Sequence, residues 1–217
     1  MPKVKLPRKS TNIDMTAMCD VAFLLLSFFI LATKTKPPEA VRVDTPSSVS
    51  TKVAKEDAII VTLTKEGKVF LMIGDKTHKE RILDDINSSR QLGLNAGEMA
   101  KLKQLDFIGM PLNLLKGSLD APNPIPAQNM PGIPCGDSTN NELTDWMRSV
   151  VASYAGENLD NMNLLVKGDN LSKYPAFKNV KGAFKRNDVY KFKVVTNPEG
   201  VPTDSELYRN PPTPEKK

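Results

Sequence analysis

The sequence predicts a single-span transmembrane helix followed by one small α+β domain on the far side of the membrane. Its elements run in ββαβαβ order, with a long insertion. Three observations predict this. Residues Met15 to Thr33 form a nineteen-residue apolar stretch with one charge, Asp20, which is about what a bilayer core requires. Beyond it, short β-branched runs alternate with amphipathic helical patterns. The 217 residues, less the anchor and tails, leave room for one such domain.

Residues 1–14 read as a short basic segment on the cytoplasmic side. Lys3, Lys5, Arg8 and Lys9 precede the span with no acid among them, whereas Lys34 and Lys36 are soon diluted by Glu39 and Asp44. The positive-inside rule therefore keeps the N-terminus in the cytoplasm and exports the chain beyond Thr33. Residues 1–9 also supply +4 of the formal +5. The remaining charge nearly balances, so no nucleic-acid surface is implied.

Within the span, 15–33, Asp20 is the candidate proton-binding residue. An acid in hydrocarbon costs at least ~2.5–3.5 kcal/mol, so such residues face a protein partner or a wet cavity and handle ions or protons. At 100° per residue Thr16 lies one turn before Asp20 and Ser27 two turns after it, which makes a polar line on an apolar cylinder. Val21, Leu25, Phe28 and Ala32 occupy the opposite side and suit lipid or a second helix. Taken singly, Thr16 and Ser27 are most simply bonded back to their own helix.

Three other readings of this stretch compete. A signal peptide has a similar layout, but Asp20 and the lack of a small-x-small cleavage site count against it. Cys19 precedes the apolar run and follows Met18, unlike a lipid-attachment cysteine. A core helix of a soluble protein needs apolar surroundings that the later sequence does not supply.

Residues 34–57 read as a flexible tether. Pro37, Pro38, Pro46 and the polar run Ser47 to Thr51 leave no apolar period, and twenty-four extended residues reach ~80 Å. Inside it, Val41 and Val43 alternate with polar residues and suit a short strand that pairs in some states only.

The domain proper is placed at 58–197. Ala58 to Leu63 and Lys68 to Ile73, separated by Thr64 to Gly67, read as a hairpin. The insertion, 75–139, begins helical, with Ile82, Leu83 and Ile86 on one face and a capping pattern from Asn95 to Glu98 ahead of Met99 and Leu102. Its second half reads as loop, because six prolines fall from Pro111 to Pro134. A helix comes after it, capped by Asn140 or Asn141, with Leu143, Trp146, Met147, Val150, Val151 and Tyr154 on one stripe and Gly156 as its stop. A strand at Asn163 to Lys167 comes next. The pattern ends with a helix from about Pro175 to Lys185 burying Phe177, Val180 and Phe184, and a strand at Val189 to Thr196. Residues 198–217, with five prolines, read as a disordered tail.

Little enzymatic chemistry is visible. The single His78, in the polar stretch Gly74 to Glu80, reads as a solvated loop residue. Cys135 is the one exported thiol, so no internal disulfide is expected in the domain, and one histidine without paired cysteines leaves little for zinc. No catalytic residue, cofactor site or metal site is assigned.

The segment IDMTAMCDV, Ile13 to Val21, resembles the I-N-x-T-P-x-x-D-V entry to the membrane helix of the ExbD/TolR family, with Thr16 and Asp20 in register. Asp14 replaces the usual Asn and Ala17 the usual Pro. VRVDTPSSVS, Val41 to Ser50, is similar to the family's tether element, with Thr45 where Leu is usual. LLVKGDNLSKY, Leu164 to Tyr174, resembles the strand and turn before the second periplasmic helix, and puts Asp169 and Tyr174 at that turn. The insertion and the tail match no part of the compact members.

The resemblance implies a bacterial inner-membrane motor subunit with a periplasmic domain. It works as a dimer threaded through a ring of polytopic ExbB/TolQ-like subunits and drives a TonB- or TolA-like energy transducer, with Asp20 carrying the proton. Two other classes stay open. One is a membrane-anchored module that binds, for example, peptidoglycan, in which Asp20 only specifies helix assembly; the other is an anchored envelope enzyme.

Overall fold

A computed structural model describes residues 15–33, 41–49, 57–121, 125–136, 140–157 and 162–199. The proposed cytoplasmic segment, both ends of the tether and nearly all of the tail lie outside these residues. The chain divides after Pro37 into two units.

The first unit holds one described helix, α1, Met15–Ala32. Leu, Phe, Ala and Met dominate it and no proline or glycine interrupts it, so little opposes helix formation. Eighteen residues at 1.5 Å each extend ~27 Å, close to a bilayer core. None of its residues is buried, which argues against a core helix of a soluble protein.

The second unit is a mixed helix and sheet domain. Its hairpin strands, β2 (Ile59–Leu63) and β3 (Val69–Ile73), pair antiparallel from Ile59↔Ile73 to Leu63↔Val69. The Thr64 N–H donates to the Lys68 carbonyl, the Gly67 N–H to that of Thr64, and Gly67 takes φ +84°, a conformation that glycine adopts without a Cβ penalty. Strands β4 (Leu164–Gly168) and β5 (Lys193–Val194) complete a sheet of order β3-β2-β4-β5, with β4 parallel to both neighbours. The final strand is much shorter than Val189 to Thr196. Val189 is buried ahead of it instead.

The segment 75–139 departs most from expectation. Its described residues hold three α-helices, α2 (Lys76–Ser89), α3 (Ala96–Gln104) and α4 (Leu112–Asp120), the first two where a helical pattern was read. Ile82, Leu83 and Ile86 of α2 are fully buried in the single hydrophobic cluster. The capping box at Asn95 and Glu98 forms as the sequence specifies. α4 stands where loop was expected. Pro111 holds the N-cap position with no side-chain hydrogen bond, Leu112, Leu115 and Leu119 recur at i, i+3, i+7 and are buried, and the prolines flank the helix without entering it.

The insertion also closes a sheet edge. Leu71 and Ile108 exchange both backbone hydrogen bonds at 2.8 and 2.7 Å, and the Ile133 N–H donates to the Val69 carbonyl at 2.8 Å, which satisfies outward groups of Val69 and Leu71 on β3. On the sheet face opposite Val69, Leu71 and Ile73, Phe70 is covered by Phe107, edge-on with centroids 6.5 Å apart.

Helices α5 (Glu142–Ser153) and α6 (Tyr174–Lys185) complete the core. Asn141 caps α5 through its side-chain oxygen, and Leu143, Trp146, Met147 and Val150 are fully buried. In α6, Val180, Ala183 and Phe184 are buried while Phe177 is half-buried, packed against Phe192 at 6.4 Å.

The middle of the tether is bound to this domain. Val43 and Thr45 are buried, and β1 (Ser47–Ser48) pairs parallel with β6 (Asn197–Pro198). The Asn170 N–H donates to the Asp44 carbonyl at 2.8 Å and that of Asn197 to Pro46 at 3.0 Å. Alternation at Val41, Val43 and Thr45 therefore marks a docked strand segment, not a free linker.

Candidate functional site

The candidate site is the polar line of α1. Helical geometry brings Thr16, Asp20 and Ser27 onto one face, at offsets of four and eleven residues. The Ser27 hydroxyl donates to the Leu24 carbonyl at 2.9 Å, the back-bonding that a serine in an apolar helix ordinarily adopts. Asp20 lacks that option, since an ionised carboxylate only accepts and the carbonyls of its own helix offer no proton. Among the described residues no side chain pairs with it. Phe23 and Leu24 flank the line, and Phe28 and Phe29 pack edge-on at 6.0 Å on the other side. The one charged group of the span therefore stands on an apolar surface and needs its partner from another helix or from water.

The domain offers little competing chemistry. His78 is not a loop residue: it lies in the first turn of α2, 8 % exposed, stacked on Tyr154 at 3.9 Å with the rings 9° apart. Its Nε2 sits 4.0 Å from Asp75 and 3.8 Å from Glu157, and its Nδ1 is buried without a partner. Burial first, then Asp75, Asp57 and Glu157, push the Tyr154 hydroxyl above its ordinary range. The stack is illegible in sequence because Tyr154 lies seventy-six residues away. Cys135 is half-buried, and that burial pushes its thiol up to about 11 despite a bond from Asn141 and the nearby Arg186. A thiol held protonated is a poor nucleophile. Among the described residues no group of three His, Cys, Asp or Glu is placed to hold a metal.

Of the cavities among the domain's described residues, two are the most relevant. One, of about 670 Å³, is lined by Arg90, Arg148, Arg186, Glu142 and Asp145 among others. Its acids are engaged: Asp145 pairs with Arg90 and, at 3.5 Å, with Arg148, and Glu142 accepts from the Leu112 N–H at 2.8 Å. The other, of about 550 Å³, lies between α3, α4 and residues 106–110, with Ile108, Met110, Leu115 and Leu119 in its wall. Neither brings a nucleophile together with a base and an orienting acid.

One apolar helix with a single acid, long enough to cross a bilayer, thus stands ahead of a mixed helix and sheet domain. Residues 7–199 match the family model of the biopolymer transport protein ExbD/TolR, and the chain belongs to that family, whose members are inner-membrane-anchored accessory proteins of biopolymer transport. The match takes in the insertion as well as the anchor. No curated protein and no solved structure matches the chain.

Proposed function

We propose that this chain is a proton-motive-force-coupled motor subunit of the inner membrane, with Asp20 as its proton-binding residue and Thr16 and Ser27 lining the same face. Two copies thread a ring of ExbB/TolQ-like polytopic subunits and act on a TonB- or TolA-like transducer, either for outer-membrane uptake or for envelope maintenance. The N-terminus is cytoplasmic and the α+β domain periplasmic. It is not an enzyme.

The observation that carries this reading is Asp20, the sole charge of a helix long enough to span a bilayer. One elementary charge moving through the membrane potential is worth ~2.3 kcal/mol per 100 mV. Ionised, Asp20 prefers a wet or cationic contact; protonated, it tolerates an apolar one. Proton flow thus changes which surroundings the helix prefers, and a ring that offers both in turn converts that change into rotation or displacement.

Asn keeps the shape and hydrogen-bonding capacity of a protonated Asp and releases no proton. Asp20→Asn should therefore insert and co-purify with its ring partner yet abolish energised uptake or envelope integrity in a complementation assay. Near-normal function in that variant would leave the anchored binding module as the better account, with peptidoglycan as its first candidate ligand. Protease access in spheroplasts tests the orientation, and a protected α+β domain would reverse it.

A further inference from the structure

From residue 170 to residue 198 the chain carries seven Lys and Arg against one acid, Asp188. The fold lays the densest part of this run along one line. Tyr174, Lys178, Lys181 and Lys185 fall at i, i+4, i+7 and i+11 of α6 and so share a face, and all four are exposed. The opposite face, with Val180, Ala183 and Phe184, is in the core, so the cationic line is fixed outward. Among the described residues none of the three lysine side chains has an ion-pair or hydrogen-bond partner. Just ahead of the helix stand Leu171, 74 % exposed, and Lys173; Tyr174 is itself 72 % exposed.

The ordinary reading of such a line is a solvated face. Two features favour a partner. Large apolar and aromatic side chains stand among the lysines, a composition that suits the headgroup layer of a bilayer. The tether also enters the domain at this place: the Asn170 N–H donates to the Asp44 carbonyl, and Val41, Arg42 and Leu171 line one recess. With residues 41–49 bound to the domain, seven residues, 34–40, separate that entry from the span, and the path from Thr33 to Val41 covers at most ~28 Å.

We propose that the exposed face of α6, Tyr174 to Lys185 together with Leu171 and Lys173, seats on the anionic phospholipid surface of the membrane in which the chain is anchored. Lysine heads would reach lipid phosphates, with Tyr174 and Leu171 at the headgroup level. This rests on reading α1 as a membrane span; it does not depend on proton coupling.

The test uses the full chain in nanodiscs of phosphatidylcholine, with or without about one-third phosphatidylglycerol, and amine acylation read by mass spectrometry. Labelling of Lys178, Lys181 and Lys185 should fall at least ~threefold with the anionic lipid and recover in high salt, while Lys76 on α2 stays unchanged. In a Lys178→Glu/Lys181→Glu/Lys185→Glu variant, whose exposed substitutions leave the core intact, Lys173 should lose its lipid-dependent protection. Equal labelling in both lipids, or protection of Lys173 that survives the charge reversal, overturns the proposal. So does protection produced by soluble peptidoglycan fragments on zwitterionic discs, which would assign the face to the cell wall. A chain that fails to enter nanodiscs at all would instead refute the membrane span.

Discussion

Gly109→Ala tests whether the insertion is a fixed part of this domain. A Cβ at Gly109 would fall well inside contact distance of Cδ1 and Cε1 of Phe70 and lie 3.4 Å from the sulfur of Met130, whereas carbons rest at ~3.5–4.0 Å. Phe70 is 1 % exposed and wedged against Phe107, so its ring has nowhere to retreat in a core packed to crystal density. If the ring is forced aside, overpacking costs ~1–3 kcal/mol. If residues 106–110 lift away instead, the two backbone bonds between Leu71 and Ile108 break, at ~1 kcal/mol each. Either route predicts a loss within ~1–3 kcal/mol. The only tryptophan, Trp146, is fully buried in the domain, so its fluorescence during denaturant unfolding of the detergent-solubilised chain reports the domain and not α1. Gly182→Ala is the control: nothing lies within 4 Å of its Cβ in helix α6, and it should stabilise by ~0.5–1 kcal/mol. A Gly109→Ala variant within ~0.5 kcal/mol of the parent would refute the clamped geometry.

Three further outcomes are expected of the domain. His78→Phe keeps the stack on Tyr154 and removes the unpartnered Nδ1, so melting should be unchanged or slightly later; a loss beyond ~1 kcal/mol would show that the contacts to Asp75 and Glu157 matter more than the orphaned nitrogen. Cys135 should resist iodoacetamide near neutral pH until the domain unfolds. Its thiol stays protonated in the fold while the unfolded chain ionises above 9.0, so the stability of the parent relative to Cys135→Ala should fall as pH rises from 9.0 to about 11, by ~1–2 kcal/mol once partial exposure is discounted; rapid native alkylation would contradict the burial. Docking of residues 41–49 predicts slow amide exchange at Asn170 and Asn197, and Val43→Asp should speed both; fast exchange at both amides in the parent would mean that the segment is free.

The features legible in the sequence are local ones. The α3 capping box, the α5 stripe and the Thr64–Gly67 turn depend on residues within a turn or two of one another, and the structure forms each of them. The α4 helix is hidden by proline density, which suggests loop, although the prolines stand outside a sound i, i+3, i+7 leucine pattern at Leu112, Leu115 and Leu119. The period is present, and composition masks it. The burial of His78 and the docking of Val43 and Thr45 are different in kind. Their partners, Tyr154 and the segment 170–198, lie seventy-six or more residues away, as far as 152 for Thr45 and Asn197, and no single-sequence period encodes a contact at that range.

Asp20 is legible for a further reason. In water, a lone carboxylate on a helix surface signals nothing, because solvation is available everywhere along the chain. In hydrocarbon the surroundings supply no such solvation, so position along the sequence becomes depth in the membrane and one acid stands out against eighteen neutral residues. By the same logic, an unaccompanied span would leave this acid unsolvated. A single helix with none of its residues buried cannot shield Asp20 on its own, and the Ser27 hydroxyl on the same face is already turned back on Leu24. For a helix lying in a bilayer, that leaves the shielding of the carboxylate to another helix or to water. On the proposed motor reading, the surface facing Asp20 would complete the proton path, and the Asp20→Asn complementation, read beside co-purification, separates losing the proton from losing the partner.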